Sequence, residues 1–461
     1  MNNRQFSISF WGGVESVTGA NFLLEGPDFK ILVDCGLFQG TTISETQNRE
    51  PFPYDPAGID FLFVTHAHAD HIGRIPRLVK GGFSGKIYST PETKMIVKVM
   101  FKDASRLVES EAREEGILPL YDKKDAEKAL GLWEDVPYRE DLKISDSVSV
   151  RFKDAGHILG SSMVEFSLAS ESGNPGKVLF TGDLGNSPGT LLKDTEDPGE
   201  VHYLVMDSVY GDRNHESKEE REAKFLKVVS EAVKNAGTLL IPVFSLERAQ
   251  TVLYELDNLF ERKKIPPVPV FLDSPLAIEL TEIYESVTSL YNQSVKEEMA
   301  RDKQIFNFPR LKQTTKVWDS KKIQEVPNPK IILAGSGMST GGRILYHEKC
   351  FLPDAKTTFL ILGFQAPGTL GRQIQDGAKE VEIDGERVSV KARVETISGY
   401  SSHKDSDRLI EFVEKTAESL KKVFVVMGEA KASAFLVQRL RDYLDVSALV
   451  PKRGEKYYLD I

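Results

Sequence analysis

The stretch that most constrains this chain is Thr65-His66-Ala67-His68-Ala69-Asp70-His71, which follows the apolar run Phe61-Leu62-Phe63-Val64. A short apolar run of this kind predicts a buried strand, so the donors stand where a strand ends. Three imidazoles and a carboxylate fall between His66 and His71, a density that packing does not call for. His66 and His68 are two residues apart, so on an extended turn both rings can swing to one side and share a cation. Asp70 and His71 follow at the start of a predicted helix, where they can serve a second cation. Imidazole with carboxylate and no thiolate is ligation of zinc type, since calcium and magnesium prefer all-oxygen sites. A solvated histidine-rich loop is the bland alternative, and the tight spacing at a strand end speaks against it.

At 461 residues the chain is too long for one core, and two or three domains are expected. A composition of 40% hydrophobic and 28% charged residues is that of a soluble globular protein. No apolar run approaches the roughly twenty residues that cross a bilayer, so no membrane partner is expected. Met1 to Gln5 lead straight into an alternating strand rather than an export signal. Cys35 and Cys350 lie far apart without metal spacing, which fits reduced thiols and the cytoplasm. The net charge of −10 argues against a protein that coats nucleic acid, while a local basic channel stays compatible with a nuclease.

In chain order, Phe6–Phe10 alternates, Trp11-Gly12-Gly13 breaks it, and Thr18–Glu25 resumes as a second strand. Ile31-Leu32-Val33 is a third strand, ending in Asp34-Cys35-Gly36. Residues 92–130 have helical spacing, divided by Gly116 and Pro119. The strand Val148–Phe152 leads to His157 in a glycine-flanked turn, and Val178-Leu179-Phe180 leads to Asp183. The strand Tyr203–Met206 runs into Asp207-Ser208-Val209-Tyr210-Gly211. Beyond an amphipathic helix over 216–236, a strand, a polar or glycine turn and a helix recur four times. The strands are Thr238–Val243, Val268–Leu272, Lys330–Ala334 and Thr358–Leu362, which predicts a parallel α/β domain. Ligands favour the carboxyl ends of such strands. Arg248, Ser336, Gly337, Ser339 and Arg343 are therefore candidate contacts for a substrate phosphate. The glycines serve a tight turn equally well.

Later in the chain, Val394–Ile397 and Val423–Met427 read as strands and Asp405–Glu418 as a helix. The segment 301–322 interleaves Arg301, Lys303, Arg310, Lys312, Lys316, Lys321 and Lys322 with Phe306, Phe308 and Trp318. That pattern suits single-stranded RNA, but a basic loop is the better reading, because no base-reading motif accompanies it. His202 and His347 read as solvated or packing residues, and His215 follows the Asp207 motif.

The Thr65–His71 stretch is the signature of the metallo-β-lactamase fold, which the chain strongly resembles. Its β-CASP branch is resembled through Asp207–Gly211, Ser336-Gly337-Met338, Gly341-Gly342-Arg343, Gly368–Arg372 and Ser398–His403. The resemblance points to bacterial and archaeal relatives of the endonuclease subunit of the cleavage and polyadenylation specificity factor. The KH domains that precede the core in archaeal members are not expected. It implies an αββα sandwich with an inserted parallel α/β domain. The sandwich is expected over 1–212, the β-CASP domain over 213–388, and the return to the sandwich over 389–461.

The resemblance also implies roles. His157 joins His66 and His68 on a first zinc, Asp183 bridges two ions, and Asp70 and His71 serve the second. Asp34 orients the histidines from behind, and Asp207 aims His403 as the acid that protonates the leaving group, with Asp70 also holding the nucleophile. Where the family's third extra motif reads His-Gly-Glu, this chain has Met427-Gly428-Glu429. One tight zinc site and a weaker second site, open to manganese, are therefore expected.

The expected activity is hydrolysis of RNA phosphodiesters by a metal-bound hydroxide, endonucleolytic or exonucleolytic. The expected partner is single-stranded RNA, and a homodimer is left open. A DNA nuclease of the same superfamily and a non-catalytic RNA-binding paralogue are the alternatives.

Overall fold

The computed structural model describes residues 5–40, 42–170, 173–301, 304–366 and 368–461, so Met1 to Arg4 and Lys303 lie outside the described residues. The chain forms two compact units, one ending at Asn214 and resuming at Ser402–Ile461, the other His215–Ser401.

The first unit holds two seven-stranded sheets. One runs, edge to edge, Lys456–Leu459, Phe6–Gly12, Asn21–Gly26, Phe29–Val33, Phe61–Phe63, Lys86–Ser89 and Trp133–Asp135. The other runs Ala448–Leu449, Lys422–Val426, Tyr203–Asp207, Gly176–Phe180, Ser162–Leu168, Val148–Asp154 and Asp141–Lys143.

The side-chain period of two shows why these strands read as continuous apolar runs. Val178 and Phe180 join one core while Leu179 joins another, and Phe424 and Val426 alternate in the same way with Val423 and Val425. The first core lies between the sheets, where Phe63 meets Phe166 edge-on at 5.3 Å and Phe10 meets Phe424 at 5.1 Å. The second lies behind the second sheet, under Leu409 and Phe412 of helix Ser406–Glu414 and Leu436 and Leu440 of helix Ala430–Leu444. Helix Pro91–Glu115 covers the far edge of the first sheet, with Phe101 against Trp133 at 6.2 Å. It ends at Gly116, whose φ of +69° makes the left-handed cap. Helix, sheet, sheet, helix is the expected sandwich.

The second unit is built on a six-stranded sheet. Its order is Leu311–Gln313, Val270–Asp273, Lys330–Ala334, Thr238–Pro242, Thr358–Leu362 and Arg393–Ile397, with every pairing parallel. The four central strands are those expected, and the two edges differ. Leu311–Gln313 falls in the basic segment, where a three-residue strand with Lys312 at its centre gives no apolar run. Arg393–Ile397 pairs with Thr358–Leu362, so the second unit runs on to Ser401, past the expected return at 389.

Within the basic segment Phe306 and Phe308 are buried against Tyr284 and Phe260. Only Trp318 of the three aromatics is exposed, with the Lys322 ammonium 4.2 Å from its ring centre. Packing thus accounts for most of this segment's aromatic character. Among the described residues no helix is long and apolar enough to cross a membrane.

Candidate metal centre

The centre is assembled at carboxyl ends of strands in the first unit. Asp34 follows Phe29–Val33, His66 follows Phe61–Phe63, His157 follows Val148–Asp154, Asp183 follows Gly176–Phe180, and Asp207 closes Tyr203–Asp207. Each strand is anchored in the shared core, so each turn is held by burial on its amino side.

Asp34 organises the histidine-rich turn. Its carboxylate accepts from the Thr65 backbone N–H and hydroxyl, both at 2.8 Å, and lies 2.7 Å from His71 Nδ1. One acid thereby fixes the start of the turn and the orientation of its last imidazole, leaving His71 Nε2 for another partner. Asp34 takes a φ of +60°, which an L-residue other than asparagine or aspartate seldom adopts. Close by, a Cβ on Gly36 would lie 1.5 Å from the Asp70 carbonyl oxygen, so only glycine admits that backbone approach. The N–H of Cys35 donates to the His71 carbonyl and that of Leu37 to the Ala69 carbonyl, stapling the short helix Ala69–Ile72 to the loop after Asp34.

His157 is held from two sides. Its backbone N–H donates to Ser161 Oγ at 2.9 Å, and its Nδ1 lies 3.1 Å from the Ser402 carbonyl. A carbonyl only accepts, so Nδ1 carries the proton and Nε2 is left with its lone pair.

Four donors then converge. His66 Nε2 lies 3.1 Å from His68 Nδ1, which lies 3.2 Å from His157 Nε2. Asp183 Oδ2 lies 3.4 Å from His66 Nε2 and 3.5 Å from His157 Nε2. A tetrahedral zinc site with bonds of about 2.0–2.1 Å has donor–donor edges of about 3.3 Å, and these four separations bracket that value. Burial holds His66 below, and His68 and His157 well below, the usual imidazole range. Neutral rings are the form that ligates a metal.

Asp183 also faces a second group. Its Oδ1 lies 3.3 Å from His71 Nε2, which is 3.9 Å from Asp70 Oδ2. Asp183 Oδ1 and His71 Nε2 are both buried with no hydrogen-bond partner among the described residues. Orphaned buried polar atoms are costly, and a cation between them would satisfy both. On these observations the residues fit a metal centre, with Asp183 between the two groups. Burial would raise the Asp183 carboxyl, but the surrounding His71, His66 and His403 hold it well below the usual carboxylate range.

His403 completes the cluster. Its Nδ1 lies 3.8 Å from Asp183 Oδ2 and 3.8 Å from Asp207 Oδ2, an ion-pair separation rather than a hydrogen bond. Asp207 is fully buried, and its Oδ1 accepts from the Leu184 N–H at 3.3 Å. Burial alone would lower the His403 pKa, and the Asp183 and Asp207 carboxylates outweigh it and raise it.

Met427, at the position of the missing histidine, is buried in the core between the sheets with φ +49°. Its N–H donates to the Gly13 carbonyl at 2.6 Å, and its Sδ lies 2.4 Å from where a Cβ on Gly13 would stand. The thioether fills space over Gly13.

The phosphate candidates lie in the second unit and are largely committed there. Ser339 is buried and its hydroxyl donates to Glu348; Arg343 donates to Asp273 and to the carbonyls of Thr314 and Thr315. Both side chains are thereby engaged within the second unit. Arg343 is drawn in by Asp273, a fully buried carboxylate that needs cationic and hydroxyl partners. His347 is the packing residue of the two alternatives read from the sequence, since it is buried with Nε2 2.7 Å from Asp273 Oδ2. Arg248 donates to the Leu362 carbonyl, Ser336 Oγ accepts from the Thr340 N–H at 2.9 Å, and Gly337 passes close under the Phe244 ring. His202 is half-buried and accepts from the Lys177 N–H at 3.0 Å, and His215 is half-buried at the start of the second unit. Asp273 was not singled out from the sequence. The available signal was an acid closing an apolar strand, as Asp34 and Asp207 nearly or wholly do.

Family sequence models match in order along the chain. The metallo-beta-lactamase superfamily matches residues 17–230, the Beta-Casp domain 249–374, and the Zn-dependent metallo-hydrolase RNA specificity domain 387–451. Ribonuclease TTHA0252 of Thermus thermophilus is 33% identical over 88% of this chain and 90% of its own length. Transcription termination factor FttA of Methanosarcina mazei is 31% identical over 95% of this chain and 69% of its own. The fold is shared with a solved protein of unknown function from Enterococcus faecalis, at a TM-score of 0.58 and 12% identity, covering 99% of this chain and 100% of that one. The chain belongs to the metallo-β-lactamase superfamily, in its β-CASP nuclease branch. It is an enzyme, a metal-dependent hydrolase.

Proposed function

We propose that this protein is a zinc-dependent ribonuclease that hydrolyses phosphodiester bonds of single-stranded RNA, by endonucleolytic or exonucleolytic attack or both. The observation that carries the reading is the four-donor set His66, His68, His157 and Asp183 at the edge lengths of a tetrahedral zinc site. RNA as substrate is supported by the ribonuclease among the relatives and by the RNA specificity domain matched over 387–451.

In this reading those four residues hold the first cation, and Asp70, His71 and the shared Asp183 hold a second. Cations there supply Lewis acidity and bring the pKa of a bound water near 7. The chain's own groups do the rest. Asp34 keeps His71 aimed, and Asp70 orients the attacking water. The buried carboxylates of Asp183 and Asp207 keep His403 protonated, so that it can give its proton to the leaving oxygen. With Met427 spent on core packing, the second cation has one imidazole fewer. A cation there would be held more weakly and would be exchangeable for manganese.

The test is cleavage of matched single-stranded RNA and DNA oligomers by the purified protein, with and without a chelator. RNA should be cut, DNA of the same sequence more slowly, and the chelator should stop both, because a positioned acid alone is worth only ~10²–10⁴-fold. Faster cutting of DNA would make the chain a DNA nuclease. Cutting of neither by metal-loaded protein would make it a non-catalytic RNA-binding paralogue.

A further inference from the structure

Beside His403 lies a lysine that the mechanism does not use. Lys404 is 6% exposed, and its ammonium donates to the Gly185 carbonyl at 2.7 Å, Thr195 Oγ1 at 2.7 Å and Ser187 Oγ at 3.3 Å. All three acceptors are neutral, and no ion pair to Lys404 occurs among the described residues. A buried charge is costly unless fully hydrogen-bonded, and here each ammonium proton has an acceptor. A charge retained in such a place calls for a reason beyond stability.

The acceptors indicate the reason. Gly185 stands two residues after Asp183 and pairs with His403 as an isolated antiparallel bridge. The Thr195 hydroxyl lies 3.0 Å from the Ala155 carbonyl, two residues before His157, and 3.2 Å from the Gly185 carbonyl. The backbone repeats the same ties. The N–H of Lys404 donates to the Leu184 carbonyl at 2.7 Å, and that of Asn186 to the Ser402 carbonyl at 2.8 Å. That Ser402 carbonyl also faces His157 Nδ1 at 3.1 Å. Three turns, bearing His157, Asp183 and His403, therefore meet around one ammonium. The Gly185 N–H also donates to the Ala155 carbonyl at 2.8 Å, and to these backbone ties Lys404 adds an ammonium that reaches the Asp183 turn directly and the His157 turn through Thr195.

We propose that Lys404 is a positioning residue of the metal centre, whose ammonium pins the turns carrying His157 and Asp183 to the segment carrying His403. The inference rests on the reading of those three residues given above. Without the pin the turns relax apart by fractions of an ångström, and misplacement of about 1 Å can cost on the order of 100-fold in rate.

The test compares the parent with Lys404→Met, which keeps the length of the side chain and removes its three donors. Two readouts are taken: RNA cleavage, and the visible spectrum of protein loaded with cobalt(II) in place of zinc, which reports ligand geometry without substrate. The expected result is a kcat lower by about 10–100-fold with KM within a few-fold of the parent, and a shifted cobalt spectrum. Lys404→Arg, which keeps charge and donors, should recover part of both. If Lys404→Met does not fold, Thr195→Val carries the test, since it cuts the relay to Ala155 and leaves the ammonium its bond to Gly185. It should move both readouts in the same direction by less. A folded Lys404→Met or, failing that, Thr195→Val with the parent's cobalt spectrum overturns the proposal, as does an unchanged kcat. A parent that cuts no RNA counts against the ribonuclease reading and leaves the spectral comparison to decide on Lys404.

Discussion

His403 shows how much a single ring can be asked to do. It lies between two carboxylates at 3.8 Å each, an arrangement suited to a proton donor and also within reach of a cation. The proposed role as acid separates the two. His403→Ala should lower turnover on RNA by about 10²–10⁴-fold, with RNA affinity and the first zinc little changed. A nitrophenyl phosphodiester, whose leaving group needs no acid, should recover most of that loss. Absence of recovery would make His403 a ligand or a binder. Met427 poses the converse case, a site residue lost to packing. Met427→His should tighten the second cation and reduce the dependence of activity on added metal. It should also cost about 1–3 kcal/mol, because a ring turned to the metal gives up the thioether packing over Gly13. Metal titration of the apo-protein decides: two equally tight zinc ions in the unmodified chain would show that solvent or another residue already replaces the missing histidine.

At the scale of elements, the buried network below the Gly335–Gly342 loop carries a pH signature. Burial pushes the Glu348 carboxyl up to about 8, and its second oxygen has no partner among the described residues. The folded state thus keeps a proton that the unfolded chain releases near pH 4.5. Stability falls as pH rises from about 4.5 to about 8 and stays lowered above that. Glu348→Gln is neutral throughout and should remove this slope. Its gain in urea midpoint over the parent should be small at pH 5 and larger at pH 9, and an equal difference at both would contradict the assignment.

The same elements show what the sequence could and could not yield. Strands that bury both faces, such as Val178–Phe180 and Val423–Val426, stand out as apolar runs, and the donors at their ends stand out with them. Edge strands do not. Leu311–Gln313 carries Lys312 at its centre, and Arg393–Ile397 reads as a strand without saying which sheet takes it. The inward turn of Arg343 was hidden for a different reason. It depends on Asp273, 70 residues before Arg343, and no local pattern reports so distant a partner. Lys404 was hidden because its acceptors are backbone and hydroxyl oxygens.

For the whole molecule, the proposed hydrolytic centre lies in the first unit, built on the buried rings of His66, His68 and His157 and the shared Asp183 carboxylate. That centre is distinct from the fold's own support, since both cores of the first unit are apolar and lie beneath the turns that carry the ligands. Loss of a ligand should therefore leave the protein folded. The most direct test is Asp183→Ala, measured for zinc content, melting temperature and RNA cleavage alongside the parent. At least one tightly bound zinc is expected per parent chain, most or all of it lost from the variant. Cleavage should fall by at least ~10³-fold, the scale of losing charge stabilisation at the reacting centre, while cooperative unfolding persists. A variant that cuts RNA at near the parent's rate in the presence of a chelator would contradict the proposed centre.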